Sequence, residues 1–161
     1  MSNDIHRRQV RVYVRAGTAA DAVALAELRW RRLTEEGGYT GDDHDDFVAL
    51  FAAWVVEHLP THLPFVAEVD GHVVGMAWLM VSDRVPAPTL RHRRTGDVQA
   101  VYVVPDLRDS GVGAALLALV LAEARERALE HVTVHSSERA VPLYQRMGFQ
   151  SGRTWLSWQP E

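Results

Sequence analysis

The chain has 161 residues, 47% hydrophobic and 24% charged, a balance that suits one compact α/β domain with a sizeable core and argues against pervasive disorder. Its formal net charge of −4 is far from the basic excess of a nucleic-acid binder. It contains no cysteine, which excludes disulfides, thiolate metal ligands and a cysteine nucleophile, and fits a reducing compartment.

Residues 1–9 lack the apolar core of a secretion signal and read as a flexible extension before a single domain over 10–161. The longest apolar-rich run, Val112 to Ala124, is too short to span a membrane and is interrupted by Glu123. The expectation is a soluble, cytoplasmic protein that engages neither membrane nor nucleic acid. Val10 to Arg15 alternates as a half-buried strand does. Thr18 and Asp21 have capping-box spacing, and Ala22, Leu25, Ala26, Leu28 and Leu33 continue with helical period, predicting a helix over about 19–34. Glycines 37, 38 and 41 break it. Asp42, Asp43, Asp45 and Asp46 then suit the first turn of a second helix that ends before Pro60. Phe65–Val69 and His72–Val81 flank Asp70-Gly71, a pair that supplies the positive φ angles of a two-residue hairpin turn. Val85 to Gly96, with two prolines, reads as a loop. A strand over 97–104, a helix over 111–128, a short strand over 132–135, a helix over 137–147 and a last strand over 154–158 follow. Pro142 belongs at the start of its helix, where a missing N–H costs little, so Tyr144 falls near the beginning.

The informative segment runs from Val98 to Leu117: strand, a tight loop reading Arg108-x-x-Gly111-x-Gly113, then an apolar helix. Glycines there let backbone approach a ligand closely, and the amides at a helix N-terminus form an anion site suited to a pyrophosphate. Arg108 can add charge. The loop is neither a Rossmann fingerprint, because a glycine is missing, nor a Walker loop, because no Gly-Lys-Ser/Thr follows. Alone, it equally suits two glycines kept for packing.

One strand and a turn further on comes Ala140-x-x-x-Tyr144-x-x-x-Gly148-Phe149. Paired with the Pro105-x-x-Arg108-x-x-Gly111-x-Gly113 run, it resembles the GNAT (GCN5-related N-acetyltransferase) family, and Val74-Gly75 after the hairpin turn is similar to that family's third-strand signature. The resemblance covers roughly residues 10 to 158. It implies an α/β fold with a mixed, strongly twisted central sheet flanked by about four helices and splayed near strand 98–104. It also implies acetyl-CoA as acyl donor without a metal, and direct transfer to an amine of a small molecule or peptide through a ternary complex. A homodimer is compatible with the family.

On this resemblance the coenzyme is held by Val101, Tyr102 and Val103, then by Arg108, Asp109, Ser110, Gly111, Val112, Gly113 and Ala114, and further by Ser136, Ser137 and Tyr144. Tyr144 matches the tyrosine that commonly points at the coenzyme sulfur and is the candidate general acid. An ordinary phenol, with a pKa of about 10, keeps its proton until a thiolate appears. Many members carry a glutamate near Gln99 and Ala100. Gln99 cannot take up a proton, and either positions a water or simply faces outward. Asp97 is the nearest carboxylate, a candidate base or a turn residue, and Asp83, His92 and His135 are further candidates. The departure from the family pattern motivates an alternative, a non-catalytic acyl-CoA-binding or sensing module. For the acceptor, Trp30, Tyr39 and Trp78 are candidate pocket walls, with core packing as the plainer reading. The four aspartates at 42–46 either attract a cationic amine or cap a helix. Arg91-His92-Arg93-Arg94 meets a coenzyme phosphate or an acidic partner, or is a solvated loop.

Overall fold

The computed structural model describes residues 10–160, so the extension expected over residues 1–9 lies outside the described residues. The elements, in chain order, are β1 (Tyr13–Ala16), α1 (Ala22–Glu35), α2 (His44–His58), β2 (His62–Val69), β3 (His72–Arg84), β4 (Arg93–Val103), α3 (Val112–Glu126), β5 (Val132–Val134) and α4 (Val141–Arg146). Single 3₁₀ turns precede α1, α3 and α4, at Ala19–Asp21, Pro105–Leu107 and Glu138–Ala140.

The sheet has the order β1-β2-β3-β4-β5. Strands β1 to β4 pair antiparallel, and α3 carries the chain across one face so that β5 pairs parallel with β4. The β2–β3 turn places Asp70 at φ 49° and Gly71 at φ 79°, the two left-handed residues that Asp-Gly supplies cheaply. The expected capping box forms: Thr18 accepts from the Ala20 amide at 3.3 Å, and Asp21 accepts from the Thr18 amide at 2.8 Å. Arg15 then bridges Asp21 and Glu68 at 2.8 and 2.9 Å, tying β1 to the start of α1 and to β2.

The sheet is covered on both faces. Leu25, Leu28, Val55, Val66, Met76, Trp78 and Tyr102 pack under α1 and α2. Phe65, Ala77, Leu79, Val98, Leu116, Leu117, Val120 and Tyr144 pack under α3 and α4. Two expectations need correction. Residues 93–96 are not loop: Arg84 pairs with Arg93 and Val81 with Gly96, so β4 begins four residues early, anchored by Arg93 on Glu130 at 2.6 Å. Residues 154–158 form no strand. Leu156 and Trp158 are 92% and 85% exposed there, and among the described residues the outer edge of β5 stays unpaired.

Candidate active site

Strand β4 organises the site through two irregularities. Met76 opposes Tyr102 and Trp78 opposes Gln99, so Ala77 faces two residues, Ala100 and Val101. This is a β-bulge, and Ala100 takes φ 51°, a left-handed conformation rarely adopted by a residue with a Cβ. Bulges bend a strand and re-aim its backbone, and are common beside functional sites. The second irregularity is on the other edge. Strand β5 pairs with β4 only at Gly96, Asp97 and Val98, so Gln99 to Val103 run on without a neighbour on that side. The ladder ends there, which leaves an open edge of β4 on the side of the segment leading into α4.

This open edge leads through the turn at Pro105–Leu107 into the start of α3. Gly111 caps the helix in a left-handed conformation at φ 87°, with no side-chain cap and no acidic residue in the first turn. The first-turn amides of a helix have no intrahelical acceptor, so the helix start presents donors and a positive dipole end with no acidic side chain in its own first turn. A Cβ at Gly111 would meet open space, which leaves the backbone approachable. Asp109 also takes a positive φ, 56°, and the Ser110 hydroxyl closes the loop on the Leu107 carbonyl at 2.5 Å. Gly113 serves packing too, with Leu143 of α4 3.5 Å from where its Cβ would stand. This donor set is chemically suited to a diphosphate.

The Arg108 side chain does not extend along that loop. Val104 donates to Val74 of β3, so the Val103 carbonyl, opposite it in the same peptide plane, faces the open edge, and Arg108 Nε donates to it at 2.9 Å. The guanidinium then lies over the Tyr102 ring, 5.4 Å from its centroid, and donates to Glu36 at 2.9 Å. Val101 and Val103 pack toward the α3 face, whereas Tyr102 points to the α1 side, where its hydroxyl donates to Glu35 at 2.7 Å. Burial, reinforced by the Glu35 carboxylate, pushes the Tyr102 phenol up to about 12. Glu35 itself is held below the usual carboxylate range, first by Arg31 and then by Tyr102.

Tyr144 stands on α4 as expected, 7% exposed and edge-on to Phe149 at 5.4 Å. Burial raises its phenol, and the charge of Arg32 pulls the other way. The α1 end therefore lies within electrostatic reach of Tyr144. Asp97 and Gln99 share one face of β4: Gln99 donates to Asp97 at 3.1 Å, and Thr133 of β5 donates to its other oxygen at 2.6 Å. Asp97 thus has both oxygens engaged. His92, His135 and Asp83 are exposed. Ser136 donates to the neighbouring Ser137 carbonyl at 3.2 Å, where the chain enters its 3₁₀ turn.

Of the proposed acceptor walls, Trp30 and Tyr39 meet edge to face at 5.3 Å, and Trp30 also touches His44 and Phe47. Trp78 is buried in the core, joined to this group only through Phe51 and Phe47. Tyr39 donates to Asp43, and His44 binds Glu27 and Asp45 at 2.8 Å each, so part of the acidic run is satisfied locally. The basic run at 91–94 is likewise partly tied down, Arg93 to Glu130 and Arg94 to the Arg127 carbonyl. Sequence reasoning missed Glu35, Glu36, Arg31, Arg32 and Arg139, which gather beside Tyr102 and Arg108. Their only local signal is two consecutive i,i+4 Arg–Glu pairs at the end of α1. Among the described residues, no group of three or more His, Asp or Glu is arranged to hold a metal ion, and no helix is long and apolar enough to cross a membrane.

A bulged strand with one open edge, beside a glycine-capped helix start and a tyrosine-bearing helix, defines a class, and comparison with known proteins agrees. The family model described as Acetyltransferase (GNAT) family matches residues 23–149. The chain belongs to the GNAT family. It is 32% identical over 87 residues to glucosamine 6-phosphate N-acetyltransferase of Trypanosoma brucei brucei, covering 54% of this chain and 57% of that protein. It is 30% identical over 141 residues to mycothiol acetyltransferase of Propionibacterium freudenreichii, covering 86% of this chain and 42% of that one. The chain thus spans only about half the length of these relatives. Among solved structures, a GCN5-related N-acetyltransferase from Ralstonia eutropha is 27% identical with a TM-score of 0.68, covering 93% of this chain and 99% of that one. A predicted acetyltransferase from Clostridium acetobutylicum, solved with acetyl-CoA, shares the fold with a TM-score of 0.73 at 24% identity, over 92% of this chain and 96% of that one.

Proposed function

We propose that the chain transfers the acetyl group of acetyl-CoA directly to an amine of a small molecule or peptide, both substrates being bound together. The observation that carries this reading is the start of α3 at Gly111, with no side-chain cap and no acidic residue in its first turn, set beside the open edge of β4. The names of the relatives support it, since both are acetyltransferases of small molecules. The backbone of residues 108–114 would hold the coenzyme's diphosphate, with backbone groups of Val101 and the Val103 amide along its arm, the Val103 carbonyl being taken by Arg108, and Ser136 and Ser137 across from β4. When bound, acetyl-CoA supplies an activated acyl thioester whose sulfur needs a proton on leaving.

The chain's own residues do the rest. Tyr144, kept protonated by burial, holds that proton at Oη. The bulge at Ala100–Val101 aims fixed backbone dipoles at the reacting carbonyl, where preorganised donors stabilise developing negative charge. An alkylamine of pKa about 10 arrives mostly protonated, and its proton leaves through water positioned by Gln99 beside Asp97. Trp30 and Tyr39 form one wall of the acceptor side. A chain without cysteine suits a reducing, cytoplasmic setting.

The test is calorimetric titration with coenzyme A followed by acetylation of an amine panel. Binding with turnover of at least one amine is expected. Tight coenzyme binding without transfer to any amine would favour the sensing module, a reading to which the engaged carboxylate of Asp97 lends some weight. Failure to bind coenzyme A would end both.

A further inference from the structure

The charged groups around Glu36 are out of balance. Arg108 Nη2 donates to its Oε1 at 2.9 Å, Arg139 Nη2 lies 3.7 Å from the same oxygen, and Arg32 Nε lies 3.5 Å from Oε2. Three guanidinium groups thus share one carboxylate. Elsewhere among the described residues the ratio is even or reversed: Arg93 holds Glu130 alone, Arg15 holds both Asp21 and Glu68, and His44 sits between Glu27 and Asp45. The neighbouring Glu35 offers no relief, because Arg31 and the Tyr102 hydroxyl already occupy it, and the field of Asp106 falls on Arg31. In a chain of net charge −4, this is a local cationic excess.

Its position matters as much as its sign. The three arginines come from the last turn of α1, the loop before α3 and the turn before α4, so three separate elements bring them together at Glu36. Arg108 Nε donates to the Val103 carbonyl and its guanidinium lies over the Tyr102 ring, whose hydroxyl reaches Glu35, so the cluster sits against β4 on the α1 side and not along the α3 loop. In acetyl-CoA the thioester and the phosphates stand at opposite ends of the pantetheine arm. A cationic group turned away from the α3 loop amides toward the α1 side of β4 therefore suits an anion that the coenzyme does not supply.

We propose that Arg32, Arg108 and Arg139 bind an oxyanion, phosphate or carboxylate, carried by the amine acceptor. The substrate class is then anionic amines, and Glu36 is the internal anion that keeps the arginines assembled. Planar guanidinium groups make paired, charge-assisted hydrogen bonds to such oxyanions. The inference rests on the acetyltransferase reading, and its test separates the two.

Inorganic phosphate is titrated calorimetrically into protein already saturated with coenzyme A, so that the coenzyme's own phosphate contacts are filled. Phosphate is expected to bind, to bind about tenfold more weakly or not at all in the Arg32→Gln/Arg139→Gln variant, and to bind more tightly in Glu36→Gln, where the internal competitor is gone. A merely structural network would not give opposite signs in the two variants. Arg139 is largely exposed, so Arg139→Gln alone provides a variant that folds. Phosphate binding only to coenzyme-free protein, with displacement by coenzyme A, would assign the arginines to the coenzyme and overturn the proposal, as would no binding or binding indifferent to all three variants. In a second arm, glucosamine 6-phosphate and glucosamine are compared as acceptors. A kcat/KM preference for the phosphorylated amine that disappears in the double variant supports the proposal. Equal turnover of both by the wild type overturns it while leaving the transferase reading intact. If neither amine is acetylated, the phosphate titration still decides.

Discussion

Two phenols flank the open edge of β4, and their surroundings differ. The Tyr102 hydroxyl donates a hydrogen bond to Glu35, whereas Tyr144 is raised mainly by its apolar burial among α3 and α4 side chains. Both stay protonated at neutral pH, but only Tyr144 is uncommitted to a carboxylate partner. Tyr144→Phe should lower kcat by about 10²-fold while coenzyme affinity changes little, because a general acid acts only as the thiolate forms. Steady-state rates beside calorimetric titration separate the two quantities, and an unchanged kcat would remove Tyr144 from the chemistry. Gly111 makes a complementary case. At φ 87° any side chain is strained by about 1–2 kcal/mol, and a valine there would project into the open space above the loop. Gly111→Val is expected to raise the coenzyme dissociation constant roughly tenfold or more with the protein still folded by circular dichroism. These residues were legible in the sequence because loop, glycines and tyrosine form local motifs. Glu35 and Glu36 were not, because their partners Tyr102 and Arg108 lie 67 and 72 residues away and a helix-end Arg–Glu pair resembles any solvated surface charge.

At the scale of elements, what could be read was what is decided locally. The Asp70-Gly71 turn, the Thr18 cap and the start of α4 at Val141–Pro142 each depend on a few adjacent residues. The early start of β4 depends instead on a ladder with Arg84 and an ion pair from Glu130, neither of which is near in sequence. The tail at 154–158 has strand-like residues but makes no ladder on the outer edge of β5, which is unpaired among the described residues, and propensity alone does not make a strand. The bulge was invisible for a different reason: Ala100 has no preference for the left-handed region and is held there by register on both sides. This strain makes the element testable. Ala100→Gly should stabilise the protein by about 0.5–1 kcal/mol despite the greater freedom glycine gives the unfolded chain, and Ala100→Val should destabilise it by about 1 kcal/mol or more. Denaturant midpoints decide. If valine is tolerated and glycine is destabilising, as in a regular strand, the bulge does not persist in solution.

Over the whole molecule, stability should be bounded by titration at both ends of the pH scale. Arg15 holds the Asp21 carboxyl below its ordinary range, with the Thr18 amide assisting, and Arg93 does the same for Glu130. Depressed carboxylates contribute stability above their unfolded pKa and lose it as pH falls through the folded one, so the acid limb should lie below the ordinary carboxylate range of about 4. The alkaline limb has the opposite sign. Tyr102 is almost fully buried, and its phenol is raised from an ordinary 10.0 to about 12. The folded state therefore holds that proton more tightly than the unfolded chain does. Its contribution is fully present below pH of about 10 and disappears as pH rises toward about 12, an effect on the order of 1–3 kcal/mol. Tyr102→Phe removes the titrating group along with its bond to Glu35. The variant should melt below the wild type at pH 8, and the gap should narrow through the alkaline range as the wild type loses what the variant never had. Melting curves collected at intervals from pH 8 to 12 would test this. A gap that stays constant or widens with pH would mean that the phenol is not held in its protonated form by the fold, and that the Tyr102–Glu35 link between β4 and α1 is weaker than its 2.7 Å hydrogen bond implies.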